Sequence, residues 1–134
     1  MSVGIEDALV ALLGDSTTVS ALVEDRIYPI EMPPNTPMPT LVYQQISGPR
    51  VHSHSGFSSL AYPLFQISCW GDDYTEAKNL ADAVMAALDG YVGTKAGVEI
   101  YALIVNGSRD MGEPEEDTYR VIVEVEAWHK VVSA

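Results

Sequence analysis

Basic residues are scarce in this chain. Seven Lys and Arg stand against nineteen Asp and Glu, giving a formal charge of −12 at pH 7 over 134 residues. A DNA or RNA backbone is held by clustered cations, so the composition argues against a nucleic-acid grip. It disfavours an anionic membrane surface for the same reason. Acidity keeps a protein soluble and repels nucleic acid that passes close by, but it names no partner. Cysteine occurs once. No internal disulfide can form, and the chain suits a reducing cytoplasm. Cys69 is expected to be a small buried strand residue and not a reactive thiol. No apolar run approaches the ~20 residues of a membrane span. Residues 1–7 carry no basic segment ahead of their apolar positions, so no secretory signal is expected. Enzyme fingerprints are missing as well: there is no nucleophile elbow, phosphate-binding loop or dinucleotide motif, and the glycines are isolated. Neither an enzyme nor a cofactor is expected.

What is present is apolar and patterned. Hydrophobic residues make up 47% of the chain, enough for a packed core, and the length suits one domain over residues 1–134. The clearest stretch covers residues 63–90. Residues 64–70 alternate as a strand, with Phe65, Ile67 and Cys69 on one face and Leu64, Gln66, Ser68 and Trp70 on the other. Gly71 breaks the run. Asp73 predicts a helix cap with Glu76 as its capping-box partner. Ala77, Leu80, Ala81, Val84 and Leu88 then recur at helical spacing, and Asp89-Gly90 supplies a left-handed stop. Such a helix must lie back on a sheet.

The rest of the chain supplies that sheet. Residues 4–13 predict a helix with Ile5, Ala8, Leu9, Leu12 and Leu13 on one face, ended by Gly14. Asp15 or Ser16 caps a second, shorter helix presenting Val19, Leu22 and Val23, which makes a helical hairpin. Residues 26–28 read as a short strand. Pro33, Pro34, Pro37 and Pro39 keep residues 30–39 extended. A strand follows over residues 40–47, then a polar loop over residues 48–62. Glycines punctuate a connector after Gly90. Residues 98–105 alternate as a strand, residues 106–117 read as an acidic loop, and residues 118–130 form the last strand. Its Tyr119, Val121, Val123, Val125 and Ala127 share one face. The expected fold is α+β: a mostly antiparallel, open sheet of about four to five strands, with the helical hairpin and one long helix on one face.

Three groups of residues invite a chemical reading. His52 and His54 could share one side of a strand, but no Cys, Asp or Glu lies nearby to complete a metal site. Asp72-Asp73 could be an acid/base pair, yet capping already explains Asp73. Glu113, Glu115, Glu116 and Asp117 crowd a turn whose spacing is not that of an EF-hand. Solvated polar loops account for these positions. The loop of residues 48–62 is long enough to be functional or mobile.

The order of elements carries a resemblance. The helical exit Leu22-Val23-Glu24-Asp25-Arg26-Ile27-Tyr28-Pro29 comes first, and the proline-rich passage into Met38-Pro39-Thr40-Leu41-Val42-Tyr43 follows. Next come the strand Phe65-Gln66-Ile67-Ser68-Cys69-Trp70, the helix after it and two closing strands. Together they resemble the tail-completion (tail-terminator, head–tail joining) family of long-tailed bacteriophages, prophages and gene transfer agents. The resemblance spans nearly the whole chain and rests on structural positions; it brings no catalytic residues. It implies a virion structural protein that forms a ring, typically a hexamer, on the head-proximal end of the tail tube. The implied partners are other copies of the chain, the tail tube protein and the head–tail connector, with assembly in the host cytoplasm. DNA would pass through the lumen without specific binding, past a repelling acidic wall. Ring assembly would give residues 48–62 a purpose, with Arg50, His52, His54, Phe57, Leu60 and Tyr62 as the expected contacts. The competing readings are a connector-side head-completion adaptor and a non-phage acidic binding module.

Overall fold

The computed structural model describes residues 4–48, 50–52, 59–111 and 118–131. Three helices precede or interrupt the strands: α1 (Ile5–Asp15), α2 (Thr17–Val23) and α3 (Tyr74–Leu88). The strands are β1 (Ile27–Pro29), β2 (Thr40–Ser47), β3 (Arg50–His52), β4 (Ser59–Ala61), β5 (Leu64–Gly71), β6 (Gly93–Lys95), β7 (Val98–Met111) and β8 (Tyr119–Val131). All eight belong to one sheet among the described residues. β1 runs parallel to β2, and every other pairing is antiparallel.

The long strand β8 organises the sheet. β7 pairs along one side of it, from Ile100 against His129 to Met111 against Arg120. On its other side, β5 pairs from Gly71 against Tyr119 to Leu64 against Glu126, and β4 continues from Ala61 against His129 to Ser59 against Val131. The Ala127 amide donates to the Pro63 carbonyl at 3.0 Å and bridges the two segments. β2 and β1 extend the sheet beyond β5, β6 extends it beyond β7, and β3 lies outside β4.

Local chemistry sets the helix ends. Asp73 caps α3 by accepting from the Glu76 amide at 2.7 Å. Glu76 answers by accepting from the Asp72 amide at 2.8 Å, one residue before the usual capping-box donor. Ser16 caps α2 through the Val19 amide at 3.2 Å. α1 does not stop at Gly14. It runs on to Asp15, and the Ser20 hydroxyl donates to the Gly14 carbonyl at 2.7 Å. Gly14 keeps helical geometry, so its freedom to end the helix goes unused.

The core lies between the helices and one face of the sheet. Leu9, Leu13, Val19 and Val23 join Leu80, Val84 and Leu88 above Leu41, Phe65, Ile67, Cys69, Val121, Val123 and Val125. Fully burying each large apolar side chain contributes ~1.5–3 kcal/mol, which is what holds short helices such as α2 in place. Gly71 closes β5 directly beneath the first turn of α3. A Cβ there would sit 2.7 Å from the Ala77 backbone nitrogen, so the close approach requires glycine.

The α+β class and the mainly antiparallel sheet stand, but the strand count rises from four or five to eight. Three-residue strands are too short to show a period. β3 and β4 sit inside the stretch expected to be a polar loop, and β6 sits inside the glycine connector. β7 also runs to Met111, through residues read as loop. Its polar end is exposed on both faces, so pairing with β8 and not burial makes it a strand.

Candidate functional site

Two features stand outside the helix-covered core. The first is the β3–β4 arm. Arg50 pairs with Ala61, Val51 with Leu60 and His52 with Ser59. This hairpin hangs on the last three residues of β8, and among the described residues β3 has a neighbour only on the β4 side. The arm begins at a sharp aromatic contact. Tyr62 stacks on Trp128 with ring centroids 4.3 Å apart and an interplanar angle of 11°. Trp128 also donates through its indole Nε1 to Glu126 at 2.6 Å. A stacked aromatic pair is worth about 0.5–1.5 kcal/mol beyond its buried area, and this one ties the root of the arm to β8.

Of the expected contact residues, the structure brings Arg50, His52, Leu60 and Tyr62 onto one hairpin and its root. Leu60 and Tyr62 are half-buried, and of Arg50 and His52 the backbone alone is described. His54 and Phe57 lie outside the described residues, as does the acidic turn of Glu113, Glu115, Glu116 and Asp117.

The second feature is a groove on the sheet face opposite the helices. Residues 30–39 arch over this face and leave a groove of about 1020 Å³. Met32, Pro33, Pro34 and Met38 line the arch, while Val42, Gln44, Gln66, Ser68 and Trp70 line the sheet. Arg26 anchors the start of this segment. Its guanidinium donates to the Leu22 carbonyl at 3.2 Å and the Pro39 carbonyl at 3.0 Å, and it pairs with Glu24 at 3.0 Å. One side chain thus ties the end of α2 to the far end of the proline-rich span. At the far wall Arg120 stacks over Trp70, 5.0 Å from the ring centroid.

Sequence reasoning missed the groove. It read the prolines as keeping this span extended, but alternation in Gln66, Ser68 and Trp70 does not say that a distant loop folds back over them.

The remaining charges are local. Asp110 accepts from the Tyr74 hydroxyl at 2.8 Å and from Lys78 at 3.3 Å. The tyrosine hydrogen bond is the main reason that its carboxyl is held below the usual range, and the bond that Lys78 donates to Asp110 raises Lys78 in turn. Lys95 is raised by its contact with Asp15, which ties β6 to α1. Burial pushes the Cys69 thiol up, away from the thiolate that reactivity needs. Burial likewise raises the Tyr43 hydroxyl, with Glu6 and Asp7 adding to the effect. Among the described residues no three His, Cys, Asp or Glu side chains converge as a metal site. No helix there is long and apolar enough to cross a membrane.

This architecture can be set beside known proteins. Residues 7–130 match the model of the family described as tail completion protein gp17. The chain belongs to the tail completion family. Its members are structural proteins of the bacteriophage virion. None of the curated proteins compared matches the chain. Among solved structures, a chain from the virion of a native gene transfer agent particle superposes with a TM-score of 0.74 at 17% identity. That match covers 95% of each chain, so the two chains share one fold over nearly their whole lengths.

Proposed function

We propose that this tail completion protein is a ring-forming tail terminator. In this reading, copies close head to tail into a ring, typically of six, on the head-proximal end of the tail tube. The ring stops tube growth and presents its other side to the head connector. DNA passes through the lumen, where a chain with net charge −12 repels the phosphates.

The observation that carries the reading is the β3–β4 arm. It forms one edge of the sheet, is held by three residues of β8, and among the described residues ends in a strand paired on one side only. An unpaired strand edge is adhesive. Placed at one end of the sheet, it favours a contact between unlike surfaces, which closes into a ring when the rotation per subunit permits. Similarity to a chain of a gene transfer agent virion is consistent with such an assembly.

The test begins with the mass of the purified protein over a range of concentrations by light scattering, with images of large species. Rings with a central hole are expected, either in solution or after purified tail tubes are added. Binding to connector-bearing heads but not to tubes would point instead to a connector-side adaptor. Deleting residues 51–59 should abolish ring formation and leave unterminated tails. Normal tails after that deletion would sink the arm's role.

A further inference from the structure

We infer that the groove beneath residues 30–39 binds an extended segment of another protein, one that carries apolar side chains and a Lys or Arg. This inference does not depend on ring formation. It rests on the floor, the walls, a strained residue at the rim and the charges around the groove.

The floor carries two carboxamides. Gln44 and Gln66 are register partners on β2 and β5, so their side chains lie side by side on the outer face. Among the described residues neither carboxamide bonds to another residue, although each offers two donors and an acceptor. Carboxamides bond the N–H and C=O of any extended backbone, whatever its side chains. The walls do the reverse. Proline, methionine and Trp70 offer apolar and aromatic surface that selects side chains. At ≈ 1020 Å³ the groove has room for several residues of extended chain.

The rim carries the independent sign. Ile30 sits at φ 69°, a left-handed conformation that β-branched residues strongly disfavour, and it is 67% exposed. Two backbone hydrogen bonds hold it there: its amide donates to the Tyr43 carbonyl at 2.9 Å, and the Glu31 amide donates to Pro29 at 2.7 Å. Strain that presents a large apolar side chain to solvent is found at binding sites.

Charge then selects the occupant. Glu31 and Asp72 line the groove, are exposed, and have no ion pair among the described residues. Among the described residues, the one cation in the lining, Arg120, lies over Trp70. Two carboxylates therefore face one guanidinium in the lining, and an incoming Lys or Arg meets an excess of negative charge. A second copy of this chain is a poor donor. Four of its seven basic residues, Arg26, Lys78, Lys95 and Arg109, are already paired with its own carboxylates.

Selection from a displayed library of random ten-residue peptides, with the full chain as bait, tests the inference. Enriched peptides should place Lys or Arg among apolar residues. They should lose at least tenfold in affinity on the double variant Glu31→Lys/Asp72→Lys, and selection on that variant should turn to acidic peptides. The remote variant Asp82→Lys/Glu99→Lys has the same net charge and should bind as the parent does. A failure to enrich, enrichment without a basic bias, or an equal loss on both variants would overturn the inference. So would self-association of the parent that the groove variant alone abolishes, because the occupant would then be a second copy.

Discussion

On β5, Phe65, Ile67 and Cys69 are wholly buried beneath the helices, while Gln66 and Trp70 between and beside them face the groove. The same contrast crosses the sheet. Leu41, Val121, Val123 and Val125 lie in the core, whereas Gln44, Arg120 and Glu124 occupy the opposite face. One set of backbone hydrogen bonds thus supports two surfaces with separate duties. The covered face makes the fold stable. The open face keeps polar and aromatic groups available, at the expense of apolar area that would have added to the core. Substitutions on the two faces should therefore differ in size and in kind.

The largest effect belongs to the covered face. Leu80, at 0% exposure, faces the sheet from the middle of α3. Leu80→Ala should lower the unfolding free energy by about 2–5 kcal/mol, because the lost contacts leave a cavity that its neighbours fill only in part. Denaturant unfolding followed by circular dichroism would measure it. A midpoint that did not move would break the contrast at its strongest point.

A smaller effect is expected where the covered face is tightest. Gly71 has the Ala77 nitrogen, the Glu76 Cβ and the Asp73 carbonyl within 2.7, 3.0 and 3.1 Å of a hypothetical Cβ. Gly71→Ala must push the first turn of α3 away from β5, costing roughly 1–3 kcal/mol. Thermal unfolding of the variant, compared with Gly14→Ala, sharpens the point. A Cβ at Gly14 meets nothing within 4 Å and that residue lies within α1, so Gly14→Ala should stabilise by up to ~1 kcal/mol. Equal shifts of one sign at both glycines would refute the close approach.

The covered face was the more legible of the two. Ala77, Leu80, Ala81, Val84 and Leu88 announce α3 by their spacing, and Asp73 and Glu76 mark its start. Phe65, Ile67 and Cys69 announce the inner side of β5. These signals are periodic because burial is periodic. The open face obeys no such rule. Gln44 and Gln66 come together only through a register set by β2 and β5, twenty-two positions apart in the chain. Arg26 reads as an ordinary charged residue, yet it binds carbonyls on both α2 and Pro39. The arm was half legible. Its length flagged residues 48–62, but three-residue strands carry no period, and the Tyr62–Trp128 stack joins residues far apart in sequence. Glycine punctuation misled at Gly14, where helix-favouring neighbours and the contact to Ser20 carry α1 onward.

The smallest effect is expected one residue away from the core. Leu103 and Ile104 are neighbours on β7, yet Leu103 is 1% exposed and Ile104 is 42% exposed. Ile104 pairs with Glu126 on the open face, so its side chain already meets water. Ile104→Gln should change the unfolding free energy by no more than about 0.5 kcal/mol, the usual range for a surface site without a special contact. If the ring uses this face, the same variant would weaken assembly while leaving the isolated chain as stable as before. A loss above 1 kcal/mol in the isolated chain would show that the open face is already covered before any partner arrives, and the division of labour between the two faces would fail.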